Sequence, residues 1–305
     1  MKLARYRAAG QVSWGAIVGD DVHPLDGSFD EWAGRITTGG AAAAPLSARS
    51  VPLSDVQLLS PVAPSARLFA IGVNYASHTP MASAEARRDT TLSFTVPMES
   101  VIGPDEEIRY PTITDMLDYE VELVGVLGKP LVAGEPAVRS VLGYTIGCDT
   151  SARDTGMLPN APVDFYSMKG IDATKPLGPW IVTRDELGGD EQPDLMQTTR
   201  INGEVRQHES TAGMTWGVER CLQWIDKRSA LHSGDQVWFG TPGGVALEDE
   251  MRQPGTGRFL NPGDQLEFEI QGIGLLRSRV GPKSPHHEGF PWFQIPALAV
   301  GPGGA

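Results

Sequence analysis

Residues 118–128 read Asp118-Tyr119-Glu120-Val121-Glu122-Leu123-Val124-Gly125-Val126-Leu127-Gly128. The run of β-branched and aliphatic residues predicts a strand. Side chains alternate across a strand, so Asp118, Glu120 and Glu122 share one face, and Val124 and Val126 continue it. That face passes from acidic to apolar, as in a strand that enters a core from a site at its mouth. Three carboxylates on one face repel one another, and burying them unpaired is prohibitive. Two settings relieve this. One is a solvated edge strand whose charges block aggregation. The other is a divalent cation with oxygen ligands, the kind that Mg²⁺, Mn²⁺ or Ca²⁺ prefers. The D-x-E-x-E pattern alone favours the edge strand.

Similar short β-type runs surround this one: LFAIGVNY at 68–75, VLGYTIGCD at 141–149, GPWIVT at 178–183, DQVWFGTP at 235–242, DQLEFEI at 264–270 and GLLRSRV at 274–280. Gly, Pro, Asn and Asp punctuate them. Residues 211–230 predict the one clear helix, with Met214, Val218, Cys221, Leu222 and Ile225 at helical spacing. PAVRSVL at 136–142 reads as a helix turn. The steady alternation of strand and helix expected of a doubly wound sheet is missing. The fold class is therefore α+β, mainly β.

The first 60 residues read differently. VSWGAIVGDDVHPL at 12–25 carries two apolar runs around Gly-Asp-Asp, a hairpin signal, and residues 34–54 are small, polar and Pro-containing, a linker or loop. The expected organisation is a small N-terminal accessory domain over 1–60, a larger catalytic domain over 61–280, and a Pro- and Gly-rich arm over 281–305. In that arm Trp292 and Phe293 could pin the chain to a surface.

The composition is that of a folded globular protein, with 40% hydrophobic and 21% charged residues in 305. A formal net charge of −13 offers no basic excess for nucleic acid or an anionic membrane. It would also repel a carboxylate substrate unless a bound cation helped. No apolar run is long enough to span a bilayer or serve as a signal peptide, and two cysteines make no disulfide framework. A cytoplasmic setting is the expectation.

Four further segments carry chemistry. The strand at 141–149 ends at Asp149, a candidate third ligand, with Arg153 close behind to pair with a carboxylate or hold the loop. Lys169 follows an aromatic-rich loop and could bind a substrate carboxylate. Thr241-Pro242-Gly243-Gly244 closes another strand, and such backbone can approach a ligand and present N–H groups to an anion. Asn74, Tyr75 and His78 lie just beyond the first strand of the larger region, and histidine is the side chain best suited to moving protons near neutral pH.

Taken in order, GVNYASH, SVIGP, DYEVELVGVLGKP, GYTIGCDTSARD, KGIDATKPLGPWIV, INGEVRQ and the block from GDQVWFGTPGGV to NPGDQLEFEIQGIGLLRSRV resemble the fumarylacetoacetate hydrolase family over about residues 65–280. The resemblance implies a mixed β-sandwich roll, a homodimer, and Mg²⁺ or Mn²⁺ held by Glu120, Glu122 and Asp149. It implies His78 as the catalytic histidine, with Lys169 and the Thr241 to Gly244 loop lining the site of a small 2-oxo carboxylate; Lys169 is expected to be catalytic too, and Asn74, Tyr75, Arg153, Thr241, Gly243 and Gly244 are the expected substrate contacts. The activity it implies is cleavage of a C–C bond in an acylpyruvate or other 2,4-dioxo acid. Decarboxylation, tautomerisation, dehydration or a non-enzymatic role are the alternatives. Two departures stand out. Relatives usually carry Glu three residues after the histidine, where this chain has Met81, and a Lys-Pro pair where it has Val96-Pro97. Glu85 or Glu99 could replace the missing acid.

Overall fold

The computed structural model describes residues 1–78, 90–156 and 163–283. Met81, Glu85 and the aromatic pair Trp292 and Phe293 lie outside the described residues.

The strand Val121–Leu127 is central rather than peripheral, and all seven of its residues are buried. Val141–Cys148 pairs antiparallel on one side of it and Gln236–Trp238 antiparallel on the other. Beyond Val141–Cys148 come Lys175–Thr183, Lys2–Ala8, Gln11–Val18 and Asp21–Pro24. Beyond Gln236–Trp238 come Leu68–Gly72, which is parallel to it, and Leu92–Val96 at the edge. A second sheet runs Glu204–Ser210, Met196–Ile201, Gln265–Ile270, Gly274–Lys283 and Glu107–Tyr110. The chain is thus mainly β, with parallel and antiparallel pairs mixed.

Alternation along the central strand distributes its side chains between separate cores. Val121 and Leu123 join a large apolar cluster that also takes Ile146, Ile201, Leu266, Phe268 and Leu276, filling the space between the two sheets. Val124 and Val126 point the other way into two smaller clusters. The face bearing Glu122 therefore continues as buried valine, as the sequence pattern implies.

The hairpin near the N-terminus forms as expected, with Val18 opposite Asp21 across Gly19-Asp20. Lys2 and Leu3 pair with Val182 and Ile181, so the N-terminal strands extend the main sheet. The reading of residues 34–54 as linker is corrected in part. A helix spans Phe29–Gly39, and the Glu31 carboxylate accepts from the Ser28 N–H at 2.8 Å, a capping-box bond. Trp32, Ala33 and Ile36 bury its inner face, and Phe29 and Trp32 meet edge to face with ring centroids 4.7 Å apart. The interruption of small residues, TTGGAAAA, hides that apolar stripe from a composition-based reading.

The expected helix over 211–230 is shorter, Val218–Asp226. Asn74 explains why. Its side-chain oxygen accepts from Trp216 N at 2.8 Å, its amide donates to Trp216 O at 2.9 Å, and its backbone carbonyl accepts from Thr215 N at 2.7 Å. These long-range bonds hold the backbone of Thr215 and Trp216 out of the helix. The PAVRSVL turn is a 3-10 turn over Ala137–Ser140.

Glycine spacing within the sheet makes a testable statement about packing. A Cβ on Gly143 would lie 2.2 Å from the Val182 carbonyl oxygen, which is backbone and cannot step aside. Gly143→Ala is expected to cost about 2–3 kcal/mol, in the range of overpacked cores. Gly34, inside the first helix, would meet nothing closer than 3.8 Å. Gly34→Ala should therefore stabilise by about 0.5–1 kcal/mol through helix propensity. Urea unfolding of both variants checks the pair, and equal effects would refute the packing argument.

Candidate active site

The register of the central strands creates the site. Val121 lies opposite Cys148, and the next residues meet through a bond from Asp149 N to Glu120 O at 2.9 Å. Glu120 and Asp149 are thereby neighbours at the sheet's end, and Glu122 sits one alternation further in. Glu120, Glu122 and Asp149 each place a carboxylate oxygen within 4.8 Å of the others, and all three are buried. Gly240 N donates to Glu122 Oε2 at 2.8 Å.

Three buried cations compensate these charges. Lys169, on the short helix Phe165–Lys169, donates to Glu120 Oε2 at 2.6 Å and Asp149 Oδ2 at 2.5 Å. Arg153 donates to Asp118 Oδ2 at 2.9 Å and also bonds Glu120. Lys175 donates to Asp149 Oδ1 at 2.5 Å. Burial works against the charge on Glu120, but Lys169 and Arg153 overcome it and hold its carboxyl well below the usual range. Glu122 goes the other way. Burial, and then the charge of Asp149, push it well above the usual range. Among the described residues Glu122 has no ion-pair partner of its own. A buried, all-oxygen donor set with one carboxylate lacking a cation fits a hard divalent ion.

Asp118, expected on the same acidic face, is not part of the triad. It is fully buried, pairs with Arg153, and accepts from Ala246 N at 2.8 Å and Leu247 N at 3.1 Å. Burial raises its carboxyl, and Arg153 opposes that rise. It thus caps the helix Ala246–Arg252, whose first turn carries Glu248.

Glu248 meets the histidine. His78 Nδ1 is 3.0 Å from Glu248 Oε1, and His78 Nε2 is 3.8 Å from Glu120 Oε1. A bond from Nδ1–H to the carboxylate sets the tautomer in which Nε2 is free to take a proton. Glu99, weighed as a substitute for the missing acid, is exposed in the Met98–Ser100 turn. Glu248 was missed in the sequence because acids are common in any first helical turn.

Several expected substrate contacts have other work. The Asn74 amide is spent on Trp216 and on Phe239 O at 2.8 Å. Tyr75 is fully buried and its hydroxyl accepts from Gln197 at 2.8 Å. Burial raises its phenol, with the Gln197 bond opposing. Arg153 is held by two protein carboxylates. The glycine loop does present N–H groups to oxygen, but to the protein's own: Gly243 N donates to Ser77 Oγ at 3.0 Å and Gly244 N to Glu248 Oε2 at 2.8 Å. Gly244 has φ of 103°, and a Cβ there would meet the Arg206 carbonyl at 2.2 Å, so a side chain cannot replace it. Thr241 is buried and accepts from Gln207 Nε2 at 2.8 Å. Val96, in place of the family's lysine, packs with Leu68, Leu177 and Trp238.

The sequence profile described as Fumarylacetoacetate (FAA) hydrolase C-terminal matches residues 67–281, and one described as Rv2993c-like, N-terminal, matches residues 1–61. Protein Rv2993c of Mycobacterium tuberculosis is 36% identical over 235 residues, covering 76% of this chain and 81% of that protein. Oxaloacetate tautomerase YisK of Bacillus subtilis is 33% identical, over 75% of this chain and 74% of that one. The crystal structure of 5-carboxymethyl-2-hydroxymuconate delta-isomerase from Mycobacterium smegmatis superposes with a TM-score of 0.73 at 31% identity, covering 93% of this chain and all (100%) of that one.

The two acidic roles separate experimentally. Asp118→Ala strips Arg153 of one partner and uncaps a helix, and is expected to destabilise the protein by about 3–5 kcal/mol. Glu122→Gln removes a carboxylate that its neighbours repel. It should leave the metal-free protein as stable as before or more so. Urea melts in EDTA check both, and a destabilised Glu122→Gln would contradict the charge argument.

Proposed function

This chain belongs to the fumarylacetoacetate hydrolase family, and from that premise we propose that it is a divalent-metal enzyme acting on a small 2-oxo carboxylate by moving a proton next to the 2-oxo group. Keto–enol tautomerisation or double-bond isomerisation is the reaction class. The observation that carries this reading is the His78–Glu248 pair set 3.8 Å from Glu120 of the carboxylate triad. A tautomerase relative and an isomerase of the same fold support it.

Glu120, Glu122 and Asp149 would hold the ion, which would polarise the 2-oxo group as a Lewis acid and offset the substrate's negative charge. His78 Nε2 takes the proton from the carbon beside the 2-oxo group, and Glu248 stabilises the imidazolium that results. The same nitrogen returns the proton to oxygen or to a neighbouring carbon, so no water is consumed. Lys169 steadies the site by bridging Glu120 and Asp149. Thr241 is the hydroxyl proposed to orient the substrate.

Hydrolysis of a C–C bond in an acylpyruvate is the second reading, and Glu248 is what favours it. With that acid behind His78, the pair could also take a proton from water, although Met81 stands where relatives carry Glu. The products would be pyruvate and the acyl group's carboxylate. A homodimer, implied by the family resemblance, belongs to the same proposal, and light scattering that reports a monomer at micromolar concentration removes it.

Oxaloacetate enol decay and acetylpyruvate cleavage, each followed by ultraviolet absorbance with Mn²⁺, distinguish the readings. His78→Ala is expected to lower the true reaction by about a hundredfold or more, and Glu248→Gln by about tenfold. EDTA should abolish it and Mn²⁺ restore it. An unaltered rate in His78→Ala for both substrates would remove the proton carrier from the mechanism. Full activity in EDTA would remove the ion.

A further inference from the structure

Lys175 has no part in the proton chemistry above, yet it is fully buried within the site. It opens the strand Lys175–Thr183, which lies beside the strand that ends in Cys148, just before Asp149. Its ammonium donates to Asp149 Oδ1 at 2.5 Å and to the Thr150 carbonyl at 2.9 Å. Lys169 takes the other oxygen of the same carboxylate, Oδ2, at 2.5 Å. Asp149 therefore meets an ammonium group on both oxygens, while Glu122 beside it has no ion-pair partner among the described residues.

This distribution is not what the fold alone requires. A buried lysine is costly, and a valine or leucine at the head of this strand would pack without any such cost. The compensation is local to the triad. Arg153 serves Asp118 and Glu120, Lys169 serves Glu120 and Asp149, and Lys175 serves Asp149 alone. Without Lys175 one oxygen of Asp149 would lose its ammonium partner in a dry interior.

We propose that Lys175 is a positioning residue that holds Asp149 in place while the triad is empty and, by its charge, loosens the grip of the triad on a divalent ion, so that the ion exchanges. The inference rests on the reading of Glu120, Glu122 and Asp149 as metal ligands. Two consequences follow from one charge. In the empty site Lys175 supplies part of the positive charge that an ion would bring. In the filled site it is a like charge close to the ion and opposes it. Lys175 shares the holding of Asp149 with Lys169, which keeps the other carboxylate oxygen when Lys175 is replaced. The charge effect should therefore outweigh any loss of order when Lys175 is replaced.

Calorimetric titration of Mn²⁺ into wild type, Lys175→Met and Lys175→Gln, with Glu122→Gln as the non-binding control, tests this. Methionine keeps the length and bulk of the lysine stem. Lys175→Met is expected to bind Mn²⁺ at least tenfold more tightly than wild type. In EDTA its Tm should be lower than that of wild type, and Mn²⁺ should raise its Tm by more. Lys175→Gln should shift both readouts in the same direction. A variant that folds only with Mn²⁺ present supports the proposal in the same way. Equal or weaker Mn²⁺ binding by Lys175→Met overturns it. So does failure of both variants to fold even with Mn²⁺, since Lys175 would then serve the fold and not the ion. If wild type itself takes up neither Mn²⁺ nor Mg²⁺, the metal reading fails and not merely the role of Lys175.

Discussion

The structure depends on the cost of burying Glu120. Its carboxylate lies at the end of a central strand, 3% exposed, where an unpaired charge would not be tolerated. Arg153 and Lys169 make it tolerable, and each of them has a second obligation. Arg153 ties Glu120 to Asp118, and Lys169 ties it to Asp149. Through these two bridges the strand, the Asp149 turn, the Phe165–Lys169 helix and the Ala246–Arg252 helix are locked into one arrangement. Buried ion pairs contribute little net stability, but losing one partner is expensive. Such a network therefore specifies geometry more than it adds stability, which is what a site needs.

The same network connects the carboxylates to the His78–Glu248 pair. Asp118 receives the first N–H groups of the helix that bears Glu248, and Glu248 in turn receives Gly244 N while meeting His78. The glycine loop is thereby pinned at Gly240 by Glu122, at Gly243 by Ser77 and at Gly244 by Glu248. A loop that looked ready to bind a ligand's anion instead fixes two acids of the protein. It acts on chemistry indirectly, by setting where Glu122 and Glu248 stand.

This economy bears on why one family supports several reactions. Tautomerisation, isomerisation and C–C cleavage of 2-oxo acids all need negative charge stabilised beside the 2-oxo group and one group able to carry a proton. In the proposed reading the carboxylate triad, with its ion, and the His78–Glu248 pair would meet both needs. In that reading His78 would act on carbon in the first two reactions and on water in the third.

The fold class, the N-terminal hairpin and the shared face of Glu120 and Glu122 are legible in the sequence as local pattern, whereas the D-x-E-x-E run by itself points to an edge strand, and only the closed sheet makes that strand central and brings Asp149 beside it. Alternation puts Glu120 and Glu122 on one side, and a strand that ends at Asp149 offers its carboxylate at the sheet's rim. The helix at Phe29–Gly39 was obscured by small residues, and the helix at Val218–Asp226 was overestimated because Asn74 grips Trp216 from 142 positions away. Tertiary structure alone decided that Asp118 caps a helix, that the Asn74 amide is spent on backbone carbonyls, and that Glu248 reaches His78 across 170 positions. Periodicity is a property of adjacent residues and survives in one dimension. An ion pair or hydrogen bond between distant residues depends on register and packing, which exist only once the sheets have closed around their core.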